Sequence, residues 1–110
     1  MSNASSNAER VLDALGDPTR RRVLELLRGG ERAVGDVAAQ LPVSRPAVSQ
    51  HLRVLQGAGL VSQRKQGRCH LYAVDEQGLQ ALRAYLETLW DDALAAFKAK
   101  VDEPHGGGER

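Results

Sequence analysis

Apolar residues recur along this chain with two periods, and the change from one to the other marks out its elements. Val11, Leu12 and Leu15 share one side of a short helix predicted over Ala8 to Leu15. Gly16 interrupts it. Asp17-Pro18 then opens a second helix, with Asp17 as N-cap and Pro18 at the first position, where a missing N–H is harmless. Val23, Leu24 and Leu27 form its apolar stripe to about Arg28, and Gly29-Gly30 stops it. A third helix is predicted over Ala33 to Leu41, with Val34, Val37, Ala38 and Leu41 inward. After the tight Leu41-Pro42-Val43 connection, Ser44 caps a fourth helix with Pro46 in its first turn. Val48, Leu52 and Leu55 repeat along it at i, i+4 and i+7, and it ends near Ala58.

Period two then takes over. Leu60 to Gln66 and Arg68 to Val74 read as strands joined at Gly67. The second strand puts Cys69, Leu71 and Ala73 on one face and His70, Tyr72 and Val74 on the other; Cys69 is expected to be a buried core thiol. Asp75 caps a last helix from Glu76 to about Val101. Its Leu79, Leu82, Leu86, Leu89, Ala93 and Phe97 step by threes and fours, a coiled-coil-like seam. The predicted fold is mainly α with a small β-hairpin, a winged helix-turn-helix in the order α-α-α-α-β-β-α. It occupies residues 8–101, between tails over 1–7 and 102–110 that are expected to be disordered.

Composition sharpens this picture. At 110 residues and 42% hydrophobic the chain is one domain, and with 4% aromatics its core must be aliphatic. A single cysteine allows no internal disulfide and fits a reducing compartment. No apolar run approaches the roughly 18 residues of a membrane span, and the polar N-terminus is unlike a secretory signal. A cytoplasmic protein with no membrane partner is expected. Net charge is only +1, but it is unevenly placed. From Asp17 to Tyr72 ten Lys/Arg face four acids, a net of +6; from Asp75 to Glu103 three bases face seven acids, a net of −4. That split suggests one surface for a polyanion and a separate segment kept away from it.

The chemistry follows from the placement. The second helix of a helix-turn-helix enters the DNA major groove, about 12 Å wide, and its N-terminal residues reach base edges. Ser44, Arg45, Pro46, Ala47, Ser49, Gln50, His51 and Arg53 stand on that face here. Arg pairs with guanine, Gln with adenine, Ser with phosphates or bases, and Ala touches a thymine methyl. The hairpin adds Arg64, Lys65, Gln66, Arg68 and His70, suited to the phosphate backbone or minor groove. The run Arg20-Arg21-Arg22 is either a solvated helix face or a further phosphate contact.

Three segments together resemble the ArsR/SmtB family of bacterial winged-helix repressors: Leu15-Gly16-Asp17-Pro18-Thr19-Arg20-Arg21, then Val43-Ser44-Arg45-Pro46-Ala47-Val48-Ser49-Gln50-His51-Leu52, then Leu55 to Val61. The resemblance runs from about Glu9 to Lys100. It implies a homodimer formed by the first and last helices, and repression through an inverted-repeat operator. Val11, Leu12, Leu79, Leu82, Leu86, Leu89 and Trp90 are the expected dimer contacts. Two-fold symmetry would then set two recognition helices about 34 Å apart.

The same resemblance raises metal sensing. One family site needs a Cys-x-Cys pattern at the start of the third helix, where this chain has Ala33-Val34-Gly35-Asp36-Val37-Ala38. Another needs histidine on the last helix, which here offers only Glu76, Glu87, Asp91 and Asp92. Neither pattern transfers. A divalent metal such as nickel or zinc stays open as a cofactor with its ligands unassigned, beside a small molecule or a separate protein co-regulator. A protein-interaction module is the competing reading, but it would need an apolar recognition face. No constellation for an enzyme is present.

Overall fold

The computed structural model describes residues 3–102. Helices α1 (Asn3–Ala14) and α2 (Pro18–Leu27) come first, then a two-residue strand β1 (Arg32–Ala33) and the short α3 (Val34–Ala38). Helix α4 (Arg45–Gly57), strands β2 (Val61–Gln66) and β3 (Cys69–Val74) and the 27-residue α5 (Glu76–Asp102) complete the chain. Val11, Val23, Leu27, Val37, Val48, Leu52, Leu55, Leu60 and Val61 make one fully buried aliphatic core. Every helix before the hairpin contributes to it, which sets α4 rigidly on the body.

Caps stop and start these helices as the sequence demands. The Asp17 carboxylate accepts from the amides of Thr19 at 2.7 Å and Arg20 at 3.0 Å, satisfying two orphan donors of α2. The arginine run has a structural role as well. Arg20 Nε donates to the Ala14 carbonyl at 2.6 Å, and Arg21 Nη1 to that of Leu15 at 2.7 Å. These are the unpaired carbonyls that end α1, and cations there also suit the helix dipole. The Arg20 amide, ahead of the Thr19 amide and the Arg20 guanidinium, holds the Asp17 carboxyl below its ordinary pKa. A native pKa lower than the unfolded one stabilises the fold above the carboxylate range. That stability is lost as pH falls through the lowered value. Asp17→Ala is therefore expected to lower the thermal midpoint at neutral pH, with its deficit against the native chain shrinking on acidification. Equal deficits at neutral and strongly acidic pH would show that the charge is not what matters.

In its secondary structure and strand facing the molecule departs from the sequence-based expectation at four places. First, α1 begins at Asn3, so residues 3–7, expected as tail, are helical; Met1, Ser2 and 103–110 lie outside the described residues. Docking on α5 supports the extra turn, since a short helix needs tertiary contacts to persist. Second, the helix expected over Ala33 to Leu41 is shorter. Arg32 and Ala33 instead pair with Tyr72 and Leu71, making an antiparallel sheet of order β1-β3-β2. That pairing satisfies an edge of β3. At the other end, the amides of Gln40 and Leu41 bond three residues back, to Val37 and Ala38, so α3 tightens into turns. Third, the hairpin turn is Gly67-Arg68, with Gln66 facing Cys69. Gly67 sits at φ +63°, which a glycine leading a two-residue loop adopts freely. Fourth, Cys69 is exposed. Tyr72 and Val74 pack on the core, so the alternate face carrying Cys69 points away, at the far end of the hairpin.

A junction between α4, β2 and α5 orients the last helix. The Asp75 amide donates to the Leu60 carbonyl and the Gly78 amide to the Gly59 carbonyl, both at 2.8 Å. Beyond Tyr85 every residue of α5, from 86 to 102, is exposed.

Candidate nucleic-acid interface

Helix α4 turns Val48, Leu52 and Leu55 into the core, and this rotation alone decides which side chains face out. Ser44, Arg45, Pro46, Gln50 and Arg53 are exposed, while Ala47, Ser49 and His51 are half-buried at the margin. The Ser44 oxygen accepts from the Ala47 amide at 3.2 Å, so this serine is first a cap. Arg53 Nη1 donates to Gln50 Oε1 at 3.2 Å, which engages the amide oxygen and leaves its NH₂ outward. Thus Ser44, Arg45, Gln50 and Arg53 form an exposed polar strip running from the N-cap of α4 to its third turn.

The hairpin stands beside this strip, with Arg64, Lys65, Gln66, Arg68 and His70 all exposed. They are not equivalent. Arg64 grips Glu31 through two hydrogen bonds, Nε to Oε2 at 2.5 Å and Nη2 to Oε1 at 2.8 Å, and Nη2 also reaches Gln66 Oε1 at 3.2 Å. The hydrogen bonds from Arg64 lower the pKa of Glu31, and Glu31 in turn raises that of Arg64. Glu31 precedes β1 and Arg64 lies on β2, so the pair straps the hairpin across the central strand to the body. Arg68 and Arg45 make no ion pair among the described residues. A cavity of about 330 Å³ opens between α4, β1 and β3, lined by Arg45, Ser49, Arg68, His70 and Tyr72 among others.

A second, apolar surface lies on α5. Leu79, Leu86, Leu89 and Trp90 are exposed, Trp90 by 64%, and Leu12 of α1 joins them. Two of the expected dimer contacts sit differently. Val11 is fully buried, because Ala8, Val11 and Ala14 share the inward face of α1 and fill the protomer's own core. Leu82 is half-buried against that core. Leu94, Phe97 and Val101, outside the expected set, prolong the exposed stripe. Leu79, Leu82, Leu86 and Trp90 line an open groove of about 370 Å³. The sequence signal for the extension was there, since Leu94 and Val101 follow Trp90 and Phe97 by four residues.

Among the described residues no group of three or more His, Cys, Asp or Glu side chains stands close enough to hold a metal ion. None of the described helices is long and apolar enough to cross a membrane.

Comparison with known proteins agrees with this fold. The model of bacterial regulatory proteins of the arsR family matches residues 17–63, from the cap of α2 into β2. The chain is 48% identical over 94 residues to the HTH-type transcriptional regulator Rv2034 of Mycobacterium tuberculosis, covering 86% of this chain and 88% of that one. It is 39% identical over 70 residues to the transcriptional repressor SdpR of Bacillus subtilis, covering 64% and 78%. Among solved structures, the ArsR-like transcriptional regulator from Rhodococcus sp. RHA1 superposes with a TM-score of 0.78 at 33% identity, over 94% of this chain and all of that one. Identical at 48% of 94 aligned positions to one such regulator across most of both chains, and sharing its fold with another, this protein belongs to the arsR family of bacterial regulatory proteins.

Proposed function

We propose that the protein acts in the cytoplasm as a homodimeric repressor, binding an inverted-repeat DNA operator through α4 and the hairpin. The observation that carries this reading is the cationic strip itself. The first half of α4 and the hairpin form one outward surface, on which Arg45 and Arg68 have no ion-pair partner among the described residues. A polyanion is the natural complement of such a surface, and a helix flanked by a projecting hairpin fits a groove and its bordering backbone. The apolar stripe on α5 supports the dimer, because seventeen consecutive exposed residues are a poor solitary helix. Its net negative charge suits a position away from DNA.

Fluorescence anisotropy of the protein against its own upstream DNA tests the reading. A dimer neutralising about eight phosphates should give a slope of log K against log salt near about −7. Weak, salt-indifferent binding would favour a protein-interaction module instead. The same titration with divalent metals, and with chelator, assigns or removes nickel or zinc as the signal.

The Glu31 strap divides the hairpin cations. A phosphate reaching Arg64 must displace a bidentate carboxylate, whereas one reaching Arg68 displaces only water. Arg68→Ala is expected to reduce the magnitude of the salt slope by about 2 in a dimer, and Arg64→Ala by less than about 1. Equal reductions would mean that DNA opens the strap.

A further inference from the structure

The geometry points to the cleft between α4 and the hairpin as the seat of one DNA backbone phosphate per protomer, with Arg45 as a phosphate ligand and not a base reader. This deepens the DNA-binding reading above and rests on it. The cleft holds about 330 Å³, room for a tetrahedral phosphate with some water. Its donor-bearing side chains come from two parts of the fold: Arg45 and Ser49 from α4, Arg68 and His70 from the hairpin turn and β3, with Tyr72 also in the lining. No carboxylate lines it. Two guanidinium groups facing one cavity repel each other unless an anion lies between them, and guanidinium forks match phosphate oxygens in pairs.

Helix α3 seats one of the two. A Cβ added at Gly35 would lie 3.5 Å from Arg45 Cζ, 3.5 Å from Nη2 and 3.6 Å from Nη1. All three distances being alike, the guanidinium lies broadside over the backbone of α3. A side chain longer than a methyl group at this position would tip the Arg45 group out of the cleft. Held there, Arg45 is turned toward the hairpin and away from the outward line of Gln50 and Arg53, which are left to read bases. Gly35 is thus a positioning residue for Arg45.

The test uses the full-length protein, an operator duplex recovered by genomic selection, and a scrambled duplex of equal length. Arg45→Ala and Arg68→Ala, both at exposed positions that leave the fold intact, should each weaken binding to both duplexes by a similar factor. That factor should be about tenfold or more, with a shallower salt slope. Operator duplexes carrying one neutral methylphosphonate at each backbone position in turn then locate the contact. One position per half-site should weaken native protein but leave Arg45→Ala and Arg68→Ala unchanged. Gly35→Gln should reproduce Arg45→Ala. Loss confined to the operator for Arg45→Ala, or no backbone position coupled to both arginines, would overturn the cleft while leaving the DNA reading intact. Native protein that binds neither duplex would overturn both. Inorganic phosphate should displace DNA no better than chloride of equal ionic strength; potent displacement would make the cleft a free-anion site and sink the backbone assignment.

Discussion

Leu86→Glu combined with Trp90→Glu is expected to give a folded monomer whose operator affinity is lower by about 10²- to 10⁴-fold. Both side chains are exposed in the protomer, by 48% and 64%, and neither belongs to its core, so circular dichroism should be unchanged. What the change removes is the apolar stripe that a second copy would cover. Two charges on each facing helix would have to be buried without partners, and that costs far more than the missing apolar packing. A monomer reaches one half-site at a time. The second half-site then no longer benefits from the effective concentration that a dimer supplies. Sedimentation velocity reads the oligomer and anisotropy the affinity. A double variant that stays dimeric would move the interface off α5. One that turns monomeric yet keeps full affinity would show that a single protomer carries the recognition.

Gly78→Ala is expected to destabilise the protomer by about 1–3 kcal/mol, a fall in thermal midpoint of about 5–15 °C. A Cβ at this buried position would stand 2.7 Å from the carbonyl carbon and oxygen of Gly59 and 2.9 Å from the Ala58 oxygen. All three are backbone atoms, which cannot rotate aside. Relief would require α5 to lift from the α4–β2 turn, breaking the 2.8 Å bond between the Gly78 amide and Gly59. The higher helix propensity of alanine, about 1 kcal/mol, offsets only part of this. Gly57→Ala is the control of opposite sign. A Cβ there meets nothing within 4 Å, so the same substitution should be neutral or stabilising by up to about 1 kcal/mol. Denaturant melts of both variants at one protein concentration decide the matter. Equal effects at the two sites would mean that the close approach of α5 is not needed.

The periodic part of the chain was readable in advance because each helix and strand must hide one face. Val48, Leu52 and Leu55 point inward and so place Arg45, Gln50 and Arg53 outward without further information. The caps were equally local: Asp17 and Ser44 bond amides two or three residues away. Gly78 was harder to see. A glycine inside a helical pattern signals a close approach, but the pattern does not say what approaches.

The helix-turn-helix with its polar strip, the hairpin, the long last helix and the charge split between them were legible in the residue order alone, because periodicity, capping and charge are properties of neighbouring residues. The rest was settled when the elements packed together. Val11 went to the protomer core and not to a partner, since that depends on what α1 docks against. Cys69 faced outward, since one residue of register reverses every side chain of a strand. Arg64 was tied to Glu31, 33 residues away, while Arg45 was laid over Gly35 beside Arg68. Such pairings are made when separate elements close on one another, and no local pattern records which side chains will then share a surface.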